Sequence, residues 1–490
     1  MKPIRLLMLT ALCLAVAWTA AGAQTLPGNT VEERALNGAK AYVEEHQLQD
    51  PSLTILLISL FRNAMPAYAQ QWEELTGIKV NFIEYGYTDI PSKIMAEAIA
   101  KTGQYDIFNH FPYVVPDAAG AGVLMPLDDY TERGRPDFSG IEPALRAQQR
   151  YNGKQYFFLL DGDHIILVLR KDILDLPGAK EAFQAQYGWE PGCPETMTQW
   201  EQMAAFFHTR KGETRWGKTF DQDLYGAMAY RAINFSYRHF PAYFGGLLFD
   251  ADMNPLINTP RGIEAIRAFS SIVQYMPPDI QGWGTPQIYP FWASGQAFSV
   301  MSFPSIVGYG NKNPQTQIAG QQLSCIVPGV MRGGELVRRS PQAAGTGYMV
   351  NRHGNHPELA YYFLQWFTGP QQGDVAIADP RGFWDPMRRS NLDNPAIVEK
   401  FGSQFIETTM ANTKYAISLL MLEGNYEYFN VLDKNLAQVM QGNMTPEEAA
   451  ARIERGWNSV TEDVGRDYQI ESWRNGVASG AYLDTFPGDG

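Results

Sequence analysis

Cysteine is scarce in this chain, with three in 490 residues, so a disulfide-built scaffold is excluded. Basic residues are outnumbered 39 to 52 by acidic ones, leaving a net charge of −13. Nucleic-acid binders carry basic patches that replace counterions, and this balance argues against such a partner. After the first two dozen residues, no apolar run is long enough to cross a bilayer. The G-x-S-x-G, P-loop and H-E-x-x-H patterns are all missing. Seven histidines offer one close pair, His353-x-x-His356, which sits in a polar stretch without a third ligand and reads as a solvated turn. Neither a metal site nor a cofactor is expected.

The first residues are informative. Lys2 and Arg5 precede an apolar stretch from Leu6 to Trp18, and Ala21-Gly22-Ala23 follows. Positive start, apolar core and A-x-A step make a secretory signal peptide, cleaved near Ala23. The apolar run is shorter than the roughly 20 residues of a membrane span. Cys13 follows Leu12 rather than the small residue a lipoprotein site wants, which favours a soluble periplasmic product over a lipid-anchored one. Cleavage removes two basic residues and no acid, taking the net charge to −15. Cys193 and Cys325 remain; an oxidising compartment permits their pairing, but nothing in their long separation demands it.

Length and apolar content suit two or three domains. Residues 24–50 read as a helical extension, with Thr30-Val-Glu-Glu33 as a capping box and a mostly polar surface. From Leu53 strands and helices alternate. Strands are expected at Leu53 to Leu60, Ile78 to Tyr85 and Tyr105 to Phe108, with helices at Asn63 to Thr76, Pro91 to Lys101 and Val114 to Ala121. That order predicts a parallel sheet, whose ligands sit at the carboxyl ends of the strands. Loops at Phe61-Arg62-Asn63, Tyr85-Gly86-Tyr87 and Asn109-His110-Phe111 then converge on one rim. Further strands are expected at Gln155 to Leu160, Ile165 to Arg170, Tyr225 to Tyr230, Ala297 to Ser302 and Tyr348 to Asn351, and the last third is almost wholly helical.

Six segments, in order, resemble bacterial extracellular solute-binding proteins of the maltose-binding type, which serve ABC importers. They are the helix-to-strand step from Phe61 to Val80, the strand Tyr105 to Phe108, and the crossover from Asn152 to Asp172. The later ones are Phe291 to Met301, Ala344 to Val350 with Pro357 to Ala360, and Pro386 to Ser390 with the helix from Thr445 to Trp457. The resemblance implies an α/β fold of two hinged lobes closing over a sugar or polyol. A first lobe is expected over 51–160 with 346–398, and a second over 161–345 with 399–490. Capture, closure and delivery by a monomer to the transmembrane subunits of an ABC permease, with peripheral contact at the inner membrane, is the implied mechanism.

Sugars call for aromatic platforms and fixed polar groups. Asp163 matches the position where the resembled family places an acidic sugar contact. Asp161 lies on the same face by strand alternation, beside His164. Phe61, Arg62, Tyr87 and His110 follow from the strand ends. Asn234, with Phe235 and Tyr237, falls near a family contact segment. The family often has Trp near the position of Ser305, so stacking shifts to Phe303 or Trp283. Gly345-Thr346-Gly347 can bring backbone N–H groups close to a ligand. Trp384 and Asp385, and Phe429 beside Tyr428, are further candidates, with core packing as the competing reading of each aromatic. Arg62 is the single basic candidate, which disfavours an anionic ligand. A polyamine, a metal chelate or an aromatic acid is the alternative solute. Asp161 and Asp163 point the same way and would flank a glycosidic bond poorly, so an enzyme is not expected.

Overall fold

The computed structural model describes residues 25–342 and 345–478. The expected signal peptide and its cleavage step lie outside them. Two sheets carry the fold. Their strands are β1 (Ser52–Ile58), β2 (Lys79–Tyr85), β3 (Ile107–His110), β4 (Phe158–Leu159), β5 (Ile166–Arg170), β6 (Ser299–Ser302), β7 (Gln322–Cys325) and β8 (Gly347–Val350).

The first sheet has the order β2-β1-β3-β8-β4. β1 pairs in parallel with β2 from Ser52↔Lys79 to Ile58↔Tyr85, and with β3 at Ile55↔Ile107. Leu53 and Ile55 to Leu57 are fully buried, as a strand covered on both faces requires. The intervening helices run Met65–Thr76 and Ile90–Ala100, the first stopped by Gly77 in the left-handed region. Beyond β3 the sheet departs from the all-parallel expectation, because β8 returns from the second lobe antiparallel to β3. β4 then pairs antiparallel to β8.

The second sheet is β6-β5-β7, with both flanking strands antiparallel to β5. The strand expected at Tyr225 to Tyr230 does not form a continuous ladder; only Tyr225 and Ala229 make bridges, to Ala297 and Met301. Its Gly226 lies so close to the Ala204 carbonyl that the segment is held by the neighbouring helix as much as by β6. Cys193 and Cys325 are bonded, with Cα atoms 5.3 Å apart, tying the stretch before helix Met197–Phe207 to the end of β7.

The helix Val31–Glu45 has the expected capping box between Thr30 and Glu33. It is not a loosely appended element. Ala35 and Ala39 are fully buried, and Gly38 packs on the ring of Tyr362 in helix Pro357–Phe367. Gln365 Nε2 donates to the Val31 carbonyl at 2.9 Å. Small residues on one stripe, masked by a polar majority, let the two helices approach closely.

Candidate functional site

The carboxyl ends of β1, β2 and β3 open on a cavity of about 580 Å³ between the lobes. From the first lobe, Phe61, Arg62 and Asn63 follow β1, Gly86 and Tyr87 follow β2, and Phe111 follows β3. From the second lobe come Phe235, Arg238, Phe303 and Ser305, with Thr285 and Tyr289 from helix Thr285–Ala293. Tyr87 and Phe235 meet across the gap with ring centroids 5.0 Å apart. A mostly aromatic concavity with a few placed polar groups is the usual make-up of a small-molecule site.

The polar floor is built at the crossover from β4 to β5. Asp161 accepts from the Thr346 N–H at 3.1 Å, the Thr346 hydroxyl at 3.2 Å and the Asp385 N–H at 2.8 Å. A side chain at position 345 would overlap the Asp161 carbonyl, so Gly345 permits this close approach. Asp163 lines the cavity, while Asp385 lies behind it, fully buried and facing the Asp163 carboxyl. The three carboxyls offer oxygens within 4.8 Å of one another, an arrangement whose donors would suit a hard cation. Burial first, and then their mutual repulsion, pushes the pKa values of Asp161 and Asp163 well above the carboxylate range. Asp385 rises to about 8 for the same reasons, with Lys400 opposing. The Lys400 ammonium is itself committed to the carbonyls of Ile377, Asp379 and Gly382 at 2.7, 3.1 and 3.3 Å.

The opposite wall holds one guanidinium. Arg238 ends the short turn Ser236–Arg238 and is only 1% exposed. Its charge lies 4.4 Å from the Phe111 ring centroid, 5.0 Å from Phe235, 5.4 Å from Tyr237 and 5.6 Å from Tyr87. Tyr113 and Phe303 complete the enclosure at 5.8 and 5.9 Å. Rings from both lobes thus surround it, and each aromatic face attracts the cation. Nε donates to the Tyr237 hydroxyl at 3.0 Å, and one Nη reaches toward the Tyr113 hydroxyl at 3.5 Å.

Of the residues expected from sequence, Asp161, Asp163, Phe61, Arg62, Tyr87 and Phe303 meet in this cavity. Phe111, Phe235 and Thr346 line it too, and the others lie elsewhere. Trp384 is fully buried, stacked on Phe61 at 5.0 Å and edge-on to Tyr68 and Phe367, so it backs the wall rather than forming it. Gly382 leaves room for the indole to fold inward. His110 is buried and donates Nε2–H to the Tyr87 carbonyl at 2.8 Å, positioning that loop. Burial lowers its pKa to about 4, keeping it neutral. His164 turns from the cavity, and Nδ1–H donates to the Gly162 carbonyl. Asn234 takes a left-handed turn (φ 73°) that leads into Ser236–Arg238. Phe429 stacks on Tyr237 at 3.9 Å, behind the guanidinium. Asp385 and Gly345 act from beneath, as described. Ser305 is on the wall, but Tyr289, hydrogen-bonded to it at 2.7 Å, supplies the ring there. Trp283 packs on Phe291 instead. Arg238, Tyr289 and Tyr309 escaped the sequence reading; the only available signal was a lone arginine among aromatics in Phe235-Ser-Tyr-Arg-His-Phe240.

The family model for bacterial extracellular solute-binding proteins matches residues 67–401. The chain belongs to that family. Among relatives of this solute-binding protein is the probable amino-acid ABC transporter periplasmic-binding protein y4oP of Sinorhizobium fredii (strain NBRC 101917 / NGR234). The two are 21% identical over 360 residues, covering 69% of this chain and 72% of the relative. The solute-binding protein of Agrobacterium radiobacter K84 in complex with ribitol superposes with a TM-score of 0.70 at 17% identity, over 85% of this chain and 99% of the other. That of Agrobacterium vitis S4 with bound D-mannitol gives 0.68 at 16% identity, over the same shares. At such identities the likeness carries the two-lobe fold, and the residues that line the cavity are this protein's own. No helix among the described residues is long and apolar enough to cross a membrane.

Proposed function

We propose that this protein is the exported receptor of an ABC importer, closing two lobes over a carbohydrate or polyol and passing it to the permease. The observation that carries the reading is the interlobe cavity, where Tyr87, Phe111, Phe235 and Tyr289 supply flat apolar faces and Asp163 a hydroxyl acceptor. Ligand contacts drawn from both lobes favour the closed form, because only closure realises them together. The ribitol and D-mannitol held by two proteins of the same fold support a hydroxylated solute. In this reading the lobes divide at 160/161, 345/346 and 398/399, the product is periplasmic after cleavage near Ala23, and the protein works as a monomer without catalysing a reaction.

Binding to the folded state raises the melting temperature, so a thermal-shift screen of sugars, polyols and amines, confirmed by calorimetry, tests the proposal. Stabilisation by members of the first two classes is expected. If only amines stabilise the protein, the carbohydrate reading fails; turnover of a captured glycoside would show an enzyme instead.

A further inference from the structure

We infer that the solute is a hydroxylated carboxylic acid, of the aldonate or uronate class, seated with its carboxylate on Arg238 and its hydroxyls toward Asp163. This deepens the proposal above and rests on its hydroxylated solute.

Arg238 is a buried cation on the wall of the cavity, and no carboxylate among the described residues lies within ion-pair distance of it. Nε and one Nη face the tyrosine hydroxyls, and no hydrogen bond to an acceptor among the described residues is seen for the other Nη. Asp433 and Asp163 are the acids that feel its charge, yet neither reaches ion-pair distance, and Asp433 Oδ1 accepts from the Tyr237 N–H at 2.7 Å. Arg231 gives an internal control. It is equally buried, but it lies away from the cavity, and its two Nη groups donate to the Tyr230 carbonyl and the Tyr243 hydroxyl, each at 3.0 Å. Its Nε is left without a partner, so what sets Arg238 apart is its place on the cavity wall and not a spare nitrogen alone. Arg238 instead lines the space a solute would fill. Aromatic faces hold it in place, and the only acceptors among them, the Tyr237 and Tyr113 hydroxyls, are neutral and leave its charge without a counter-ion. A planar, rigid fork of this kind matches a carboxylate in two parallel hydrogen bonds. A neutral polyol would offer it only hydroxyls.

Matched pairs provide the test, titrated by calorimetry at pH 7.5: D-gluconate against D-glucitol, D-ribonate against ribitol, D-mannonate against D-mannitol, and D-glucuronate against D-glucose. At least one acid is expected to bind about tenfold or more tighter than its neutral partner. Arg238→Met, with its fold checked by circular dichroism, should abolish that preference, and Arg238→Lys should restore part of it. If a neutral member binds as tightly as its acid, or if the preference survives Arg238→Met, the inference is overturned and the polyol reading stands. If no acid and no neutral member of any pair binds, both fall. The wild-type comparison decides the matter even if the variant fails to fold.

Discussion

The floor and the opposite wall of the cavity each bury charge, and they tolerate it by opposite means. On the floor, three carboxyls crowd together, and burial drives them toward their protonated forms. On the wall, Arg238 keeps its charge: neighbouring tyrosines raise its pKa against the effect of burial, and six aromatic faces take the place of water. A carboxyl can shed charge by taking a proton; a guanidinium at physiological pH cannot. The charge that burial cannot remove from the cleft is therefore that of Arg238, although the chain as a whole is acidic. Counting charges along the sequence does not reveal it.

The contrast can be broken most forcefully at its positive end. Arg238→Met keeps much of the volume between the rings, so its melting temperature should change by only a few degrees, while solute affinity falls by about a hundredfold or more in calorimetry. Affinity within about threefold of wild type would make Arg238 a structural residue. At the floor, Asp163→Ala should weaken binding at least about tenfold without unfolding the protein, because it removes an acceptor that no backbone group needs. Unchanged affinity would take Asp163 out of the site.

A third measurement sharpens the pH side of the contrast. Behind the wall, burial raises the Asp433 pKa to about 8. The folded state therefore holds a proton that the unfolded chain releases near pH 4, and stability is lost as pH rises through that window. The melting temperature should fall between pH 5 and 9, and Asp433→Asn should flatten the fall by at least about 2 °C; an identical pH profile would place the titration elsewhere. The smallest effect is expected of Arg62→Ala. That guanidinium is half-exposed and paired with Glu84 at 3.1 Å, and such pairs contribute about 0–1 kcal/mol, so affinity should change less than about threefold.

The first lobe's share of the cavity was legible because it follows from periodicity. Strands that read as buried apolar runs place Phe61, Arg62 and Tyr87 at their ends, and the rim forms where a parallel sheet puts it. Arg238 has no such signal, since it ends a three-residue turn whose position depends on Asn234 and Asp433 rather than on a repeating pattern. Trp384, between Gly382 and Pro386, has the neighbours of a loop residue and sits in the core all the same, because the glycine beside it leaves the space its ring occupies. The helix Val31–Glu45 was similarly misjudged from its polar majority, although four small or apolar positions suffice to seat it.

The bond between Cys193 and Cys325 closes a covalent ring around the stretch that contributes Phe235, Arg238, Thr285, Tyr289, Phe303 and Ser305. Nearly the whole second-lobe wall hangs inside that ring, whereas the first-lobe wall lies outside it. How a batch is produced therefore becomes a property of the receptor. The same polypeptide folded under reducing and under oxidising conditions would share every residue and differ in mass by two hydrogens. In the reduced form, the unstapled half would be the one that carries Arg238.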